Sequence, residues 1–514
     1  MAAELTIERL FGSPDINGPQ PVQLRFSPDG ERVTYLRGKE DDRRQQDLWE
    51  YHVADATNRL LVDSKVLVPD EEQLDEVEKA RRERMRIGGK GIVEYTWAPD
   101  GNSILFPLAG DLYLFRLNAE AGEAVRRLTN TETFETDAKV SETGRYVSFI
   151  RDQNLFAIDL ESDEEKQLTL DGGDAIRNGM AAFISMEEMD RDTGYWWSPD
   201  DRFVAFTRVD EAPVELAKRY QIFENSFKVT EERYPFTGKN NVRIKLGTLE
   251  LATGKRVWVD LGDNEDIYLA RVDWSPDAKS VVFQRQSRDQ KRLDLMAADP
   301  MVGKSRIVLT ETSDVWINLN NNLKFLEQSP GEFIWASERS GFQHLYRYDL
   351  SGKQLAQLTS GNWAVDRLLA VDEDSGTLFF DGFAGGVLEK HLYRVPLAGN
   401  GVPAKITEAP GWHGIVMAPS ANAYIDTFSS RTVAPRVSLH APDGNWLTWL
   451  VENPLDQSHP YFPYLEHHRA PEFGSLKAED GQTLHYSLLK PFDFDPEKRY
   501  PVIVYTYGGP GVQA

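Results

Sequence analysis

Trp97-Ala-Pro-Asp-Gly101 is followed by Ile104-Leu-Phe106 and then by Asp111-Leu-Tyr-Leu-Phe115. Proline presets φ at the turn and the aspartate caps it, while the aromatic and β-branched residues on either side make the arms of a hairpin. The same arrangement returns as Phe26-Ser-Pro-Asp-Gly30 with Val33-Thr-Tyr-Leu36, as Trp197-Ser-Pro-Asp-Asp201 with Val204-Ala-Phe206, and as Trp274-Ser-Pro-Asp-Ala278 with Val281-Val-Phe283. Third strands follow the same plan at Asp47-Leu-Trp-Glu-Tyr51, Asn154-Leu-Phe-Ala-Ile158, His344-Leu-Tyr346 and His391-Leu-Tyr393. Weaker copies begin near Ser141, Gly331, Val371 and Ala418. From Ser27 through Ala98, Ser141, Ser198, Ser275, Gly331 and Val371 to Ala418, successive starts lie 40 to 77 residues apart. The shorter steps match one four-stranded blade and the longer ones imply insertions, so the fold class is mainly β, an eight-bladed β-propeller over residues 25–450. A β-sandwich would not need eight copies of one turn.

Composition narrows the function. With 40% hydrophobic and 11% aromatic residues in 514, the chain can bury a large core. Its net charge of -24, from 58 basic and 82 acidic residues, argues against nucleic acid or an anionic membrane as partner and biases it toward cationic ligands. The absence of cysteine excludes disulfides, thiolate catalysis and cysteine-held zinc or iron–sulfur centres. No apolar run is long enough to span a bilayer, and Met-Ala-Ala-Glu-Leu-Thr has neither the charged nor the apolar region of an export signal. The chain is expected to be cytosolic or a mature form whose signal has been removed.

Two insertions interrupt the repeat. Residues 66–90 are rich in Glu, Lys and Arg, and Asp70 to Met85 reads as an exposed helix of interspersed charges. Residues 210–242 carry Arg219-Tyr-Gln-Ile-Phe223 and Arg233-Tyr-Pro-Phe-Thr-Gly238, an arm whose apolar residues need a surface, either a partner subunit or the propeller itself. Between these lies Phe183-Ile-Ser-Met-Glu-Glu-Met-Asp-Arg191, with adjacent Glu187 and Glu188 on a turn or short helix. Two converging carboxylates suit a cation with several N–H donors, such as a peptide α-ammonium; a solvated acidic turn is the plainer reading of the pair alone.

The repeat stops after Leu450. Residues 451–472 read as a linker, in which His467-His468 has no further ligand at metal-binding spacing. A turn at Gly474 to Gly481 and a strand at Thr483 to Leu489 follow, and Pro501-Val-Ile-Val-Tyr-Thr-Tyr507 reads as a buried strand of a mixed α/β sheet running into Gly508-Gly-Pro-Gly511. A buried strand entering a glycine-rich turn is one side of an oxyanion hole in α/β-hydrolases, so residues 473–514 are expected to hold the first strands of such a domain, cut short.

Taken together these segments resemble the dipeptidyl peptidase IV branch of the prolyl oligopeptidase family, bacterial type: serine peptidases with an eight-bladed propeller over an α/β-hydrolase domain. The resemblance covers essentially the whole chain. Glu187-Glu188-Met-Asp-Arg191 with Gly194-Tyr-Trp-Trp197 is similar to the family's double-Glu motif, which implies that the two acids bind the substrate α-ammonium. Arg82-Glu-Arg-Met-Arg-Ile-Gly88 is similar to its arginine segment, which gives Arg86 the carbonyl of the residue carrying that amine. Tyr500-Pro-Val-Ile-Val-Tyr-Thr-Tyr-Gly-Gly-Pro510 resembles the segment that supplies the oxyanion-hole tyrosine, here Tyr507 rather than Tyr505. Ser337-Glu-Arg-Ser-Gly-Phe-Gln-His-Leu-Tyr346 also resembles the branch and is assigned structure.

The resemblance further implies release of X-Pro and X-Ala dipeptides from peptide N-termini, a homodimer built partly by the arm at 210–242, a periplasmic location, no cofactor and no metal. Residues 1–24 are expected to pack on the hydrolase domain. No Gly-x-Ser-x-Gly occurs, so the nucleophile, base and acid are expected beyond Ala514 and the chain by itself is expected to be inactive. Two other readings stand beside this one. The first is another prolyl oligopeptidase-family peptidase, an oligopeptidase or acylaminoacyl peptidase, which would not need a free amine. The second is a non-catalytic propeller that binds without turnover.

Overall fold

Four antiparallel strands with one apolar face make a sheet that cannot bury that face alone, and stacking such sheets around a ring solves the problem for all of them at once. The computed structural model describes residues 4–507 apart from 71, 75, 121 and 400. Its repeat forms eight blades, each built of strands paired antiparallel in chain order. The first runs Val22–Phe26, Arg32–Gly38, Gln45–His52 and Thr57–Val62; the eighth runs Trp412–Met417, Tyr424–Ser430, Val433–His440 and Trp446–Val451. Seven of the eight repeat starts read from the sequence fall at the turn between the two innermost strands of a blade, and Val371 falls one residue before the end of the innermost strand Val365–Asp372.

Apolar alternation puts the core between blades. Phe333 and Trp335 of the sixth blade pack on Val282, Leu293 and Leu295 of the fifth, and Phe203 and Ala205 of the fourth on Val281 and Phe283 of the fifth. Each fully buried large side chain of this kind contributes roughly 1.5–3 kcal/mol. The tryptophan before the Pro-Asp turn has a second task, since its indole N–H must find an acceptor when buried. Trp97 donates to Thr34 of the preceding blade at 2.8 Å and Trp197 to Ser148 at 2.8 Å, while Trp274 reaches the Trp196 carbonyl at 3.1 Å.

A second device recurs at the outer strands. Leu128-Thr129, Leu168-Thr169, Leu358-Thr359 and Ile406-Thr407 stand where the fourth strand leaves its blade, and each threonine is buried. Its hydroxyl accepts from the backbone N–H of Leu112, Leu155, Leu345 or Leu392 at 2.9–3.1 Å. It also meets the side chain that opens the third strand, as with Asn154, His344 and His391. The histidines of His344-Leu-Tyr and His391-Leu-Tyr are thereby satisfied blade residues.

The ring closes by side chains rather than by a shared strand. Phe26, Val33 and Tyr35 of the first blade pack on Ala418, Ile425 and Leu439 of the eighth, and the Tyr51 hydroxyl donates to Thr448 at 3.2 Å. Asn453 donates to the Asn17 carbonyl at 2.8 Å and to that of Pro435 at 2.7 Å. Gly18 must be glycine for this tie, because it has φ +82° and a Cβ there would stand 2.1 Å from the Asn453 amide oxygen.

Three local expectations differ from what is observed. The charged helix spans Glu76–Arg84, shorter than 70–85, and is not an exposed one: Glu78 and Arg82 are buried. Arg81 and Arg82 both donate to Glu78, at 2.6 and 2.7 Å, and Arg82 also pairs with Glu72 at 2.6 Å. The mutual pairing is what allows these charges to leave water. Glu472–Lys477 pairs with Thr483–Leu488 as a two-stranded hairpin, so the turn read at 474–481 is half strand. Residues 501–507 form no strand and are exposed, with Ile503 at 96%, because the hairpin pairs only with itself and no other strand among the described residues flanks them. Gly508 to Gly511 lie outside the described residues.

Candidate functional site

The acidic pair is carried on an excursion from the innermost strand of the fourth blade. Ile176–Asn178 and Tyr195–Trp197 both pair with Phe203–Asp210, and the chain between them loops out. Thr207 pinches the neck. Its N–H donates to the Gly194 carbonyl at 2.8 Å and its hydroxyl to the Met180 carbonyl at 2.8 Å, while its own carbonyl accepts from Gly179 at 2.8 Å. Gly194 permits the closure, since a Cβ there would lie 2.4 Å from the Met180 backbone.

Beyond the neck comes the short helix Phe183–Glu188, with Glu187 and Glu188 as its last two residues and both exposed. Asp190 turns the chain back with φ 52°. Two carboxylates at the negative end of a helix are electrostatically disfavoured, so the surroundings must supply positive charge. Arg84, the last residue of the helix Glu76–Arg84, places its Nε 3.8 Å from Glu187 Oε1 and its guanidinium over the Phe183 ring at 5.3 Å. Phe183 in turn meets Tyr234 at the base of the arm, ring centroids 5.2 Å apart.

Under the helix the loop is anchored by cations. Arg191 donates from its backbone N–H to the Ser185 carbonyl at 3.0 Å and from Nη2 to the Ser185 hydroxyl at 2.8 Å, with Nη1 on the Thr193 carbonyl at 2.5 Å. Burial, reinforced by Arg271, pulls the Arg191 guanidinium down to about 10. Lys139 of the third blade reaches Thr193 and the Tyr195 carbonyl, and lies 3.5 Å from Asp137. Burial lowers this lysine and raises Asp137, each opposed by the other. From the fifth blade Arg271 holds Asn321, which donates to Asp190 at 3.5 Å, and burial pushes the neighbouring Asp273 up to about 6 against the pull of Arg271.

Thus the two acids stand in the open beside one arginine. Arg86 stands two residues beyond Arg84 in an exposed turn with φ 57°. Tyr507 is 57% exposed, and no bond or ring contact joins it to either acid among the described residues. Sequence reasoning passed over Arg84, Ser185 and Thr207; Arg84 lay within the quoted arginine segment, while nothing in the sequence signals the other two. His468 is bound to Tyr461 at 2.8 Å and His467 stacks on Phe492 at 4.1 Å, so the histidine pair is engaged in the linker.

The arm is a two-stranded hairpin, Leu216–Ile222 paired with Phe227–Arg233. Its tip does not fold back onto the propeller: Ile222 is 84% and Phe227 67% exposed. From the arm toward the arginine helix, Arg219 donates to Glu83 at 3.3 Å.

Comparison with known proteins agrees with this architecture. Residues 98–435 match the family model of the dipeptidyl peptidase IV N-terminal region. The chain belongs to this family. Human dipeptidyl peptidase 8 is 26% identical across 95% of the chain and 66% of its own length, and a probable dipeptidyl peptidase 4 of Aspergillus fumigatus is 28% identical across 73% and 51%. The chain therefore spans about half to two thirds of the length of these relatives. The crystal structure of Porphyromonas gingivalis dipeptidyl peptidase 4 superposes with a TM-score of 0.79 at 23% identity, covering 98% of this chain and 69% of that one. At that identity the likeness speaks for the fold, and the dipeptidyl peptidase propeller is the fold described above.

Proposed function

We propose that this chain is the amine-recognising portion of a serine exopeptidase that releases X-Pro and X-Ala dipeptides from peptide N-termini. The observation that carries the reading is the exposed pair Glu187 and Glu188 at the end of one short helix, beside the guanidinium of Arg84. An α-ammonium held between two carboxylates makes charge-assisted hydrogen bonds to both, which a blocked N-terminus cannot make. Arg86, on its turn next to that helix, takes the carbonyl of the first residue with its forked donors.

In the complete enzyme a serine outside residues 1–514 attacks the second residue's carbonyl, and a histidine takes the hydroxyl proton and gives it to the leaving amine. Water then releases the dipeptide from the acyl-enzyme. Residues 473–507 begin the α/β-hydrolase domain in this reading, and Tyr507 donates its hydroxyl to the tetrahedral oxyanion. The exposed apolar hairpin 216–233 joins two copies into a homodimer, and the protein works in the periplasm after its signal is removed. Among the described residues no helix is long and apolar enough to cross a membrane.

Calorimetric titration of the chain with Ala-Pro and with N-acetyl-Ala-Pro tests the reading. Heat of binding is expected for the free amine and not for the acetylated peptide. Equal binding of both would point instead to a peptidase that does not count from the N-terminus.

A further inference from the structure

Arg191 is a buried cation without a carboxylate partner within ion-pair distance among the described residues. Its Nε is buried with no hydrogen-bond partner, and its guanidinium lies 5.9 Å above the Trp196 ring. Keeping an unpaired charge out of water is costly unless a field compensates it. Asp192 and Asp137 supply such a field, while Arg271 and burial work against it, and other charged groups surround the place. The negative end of the helix Phe183–Glu188, with Glu187 and Glu188 on it, lies above; Asp190 and Asp192 flank Arg191 in its own loop. Asp137 and Lys139 face it from the third blade and Arg271 from the fifth, with Asp273 beside Arg271. Arg81, Glu94 and Arg84 stand on the side of the arginine helix.

The grip on the helix is double. One residue, Ser185, accepts the Arg191 backbone N–H on its carbonyl and Nη2 on its hydroxyl, at 3.0 and 2.8 Å. Ser185 is buried and sits one turn before Glu188 on a helix with no side-chain cap at its start. With no such cap, the orientation of so short a helix depends on what holds its body and its carboxyl end.

We propose that Arg191 is a positioning residue of the amine site: clamped to Ser185, it fixes the direction in which Glu187 and Glu188 project and supplies the internal positive charge that lets two adjacent carboxylates share a helix end. This rests on the amine-site reading above. Arg191 does not touch the ligand; it acts through the helix.

The test uses Ala-Pro and N-acetyl-Ala-Pro as probes in calorimetry on the native chain and on Arg191→Met, Arg191→Lys and Ser185→Ala, with melting curves for each. Arg191→Met is expected to weaken Ala-Pro binding at least about tenfold, Arg191→Lys to recover most of it, and Ser185→Ala, which keeps the charge and halves the clamp, to weaken it about threefold. Rescue by lysine separates charge from packing, which a purely structural role would not do. Native affinity in a folded Arg191→Met, or lysine as poor as methionine, overturns the proposal. Should Arg191→Met fail to fold, unchanged affinity in Ser185→Ala overturns it. Absence of Ala-Pro binding by the native chain sinks the amine-site reading itself, and the two failures are thereby distinct.

Discussion

The guanidinium of Arg84 lies 3.8 Å from the Glu187 carboxylate, at the outer limit of an ion pair, and both side chains keep a quarter or more of their surface in water. A pair so placed is worth at most about 1 kcal/mol, so it yields to an incoming ammonium that can bond both acids. Changing Glu187 and Glu188 together to Gln is therefore expected to cost the chain about a hundredfold in Ala-Pro affinity while leaving its melting curve in place, since neither acid is buried. Retained affinity in the folded double variant would remove the acids from the site.

Asp273 gives a stability prediction with a definite sign. Burial raises its folded-state value to about 6, above the ordinary value of an unfolded aspartate. Between those two values the folded state holds a proton that the unfolded state has released, so stability falls as pH rises through this window and stays reduced above it. Asp273→Asn is expected to melt higher than native at pH 8, by the equivalent of about 1–2 kcal/mol, and to match it at pH 4. Equal melting at pH 8 would show that water solvates the group.

Asp201 ties the third blade to the fourth, accepting from Ser141 at 2.5 Å and from both the hydroxyl and the N–H of Thr143. Its φ of 54° makes glycine the substitution that keeps the backbone at ease. Asp201→Gly is expected to destabilise the propeller by about 2–3 kcal/mol in urea unfolding, because the buried Ser141 hydroxyl loses its charged acceptor.

For the arm, Tyr234 N–H donates to the Glu215 carbonyl at 3.0 Å, so the hairpin can be cut at its base and 216–233 replaced by Asn-Gly. Sedimentation is expected to show a dimer for the native chain and a monomer for the shortened one. A dimer that survives the deletion would place the interface elsewhere.

Much of the propeller could be read because its repeat is written in local chemistry. A Pro-Asp turn, the tryptophan before it and an apolar alternation are each visible within a few residues, and the strands obey them. Arg191 lay in plain view within Glu187-Glu188-Met-Asp-Arg191, but its clamp on Ser185 depends on a loop closed by Thr207, a residue of the next strand. The helix Glu76–Arg84 misled for a related reason: interspersed charges look solvated until Glu78 is found between two arginines. The apolar run 501–507 carries a strand's composition, yet a strand exists only where a neighbour offers hydrogen bonds, and none does so among the described residues.

The seam between the first and eighth blades holds by apolar packing, the Tyr51–Thr448 bond and the knot of Asn453 on Asn17. Tension applied to the two flanking segments would thus load this joint directly, while the other seven joints lie in series along the long way round. The ring is a bracelet with a snap rather than a welded hoop. The snap is the one joint of the ring that the chain itself does not cross between consecutive blades, so it is held by non-covalent contacts alone.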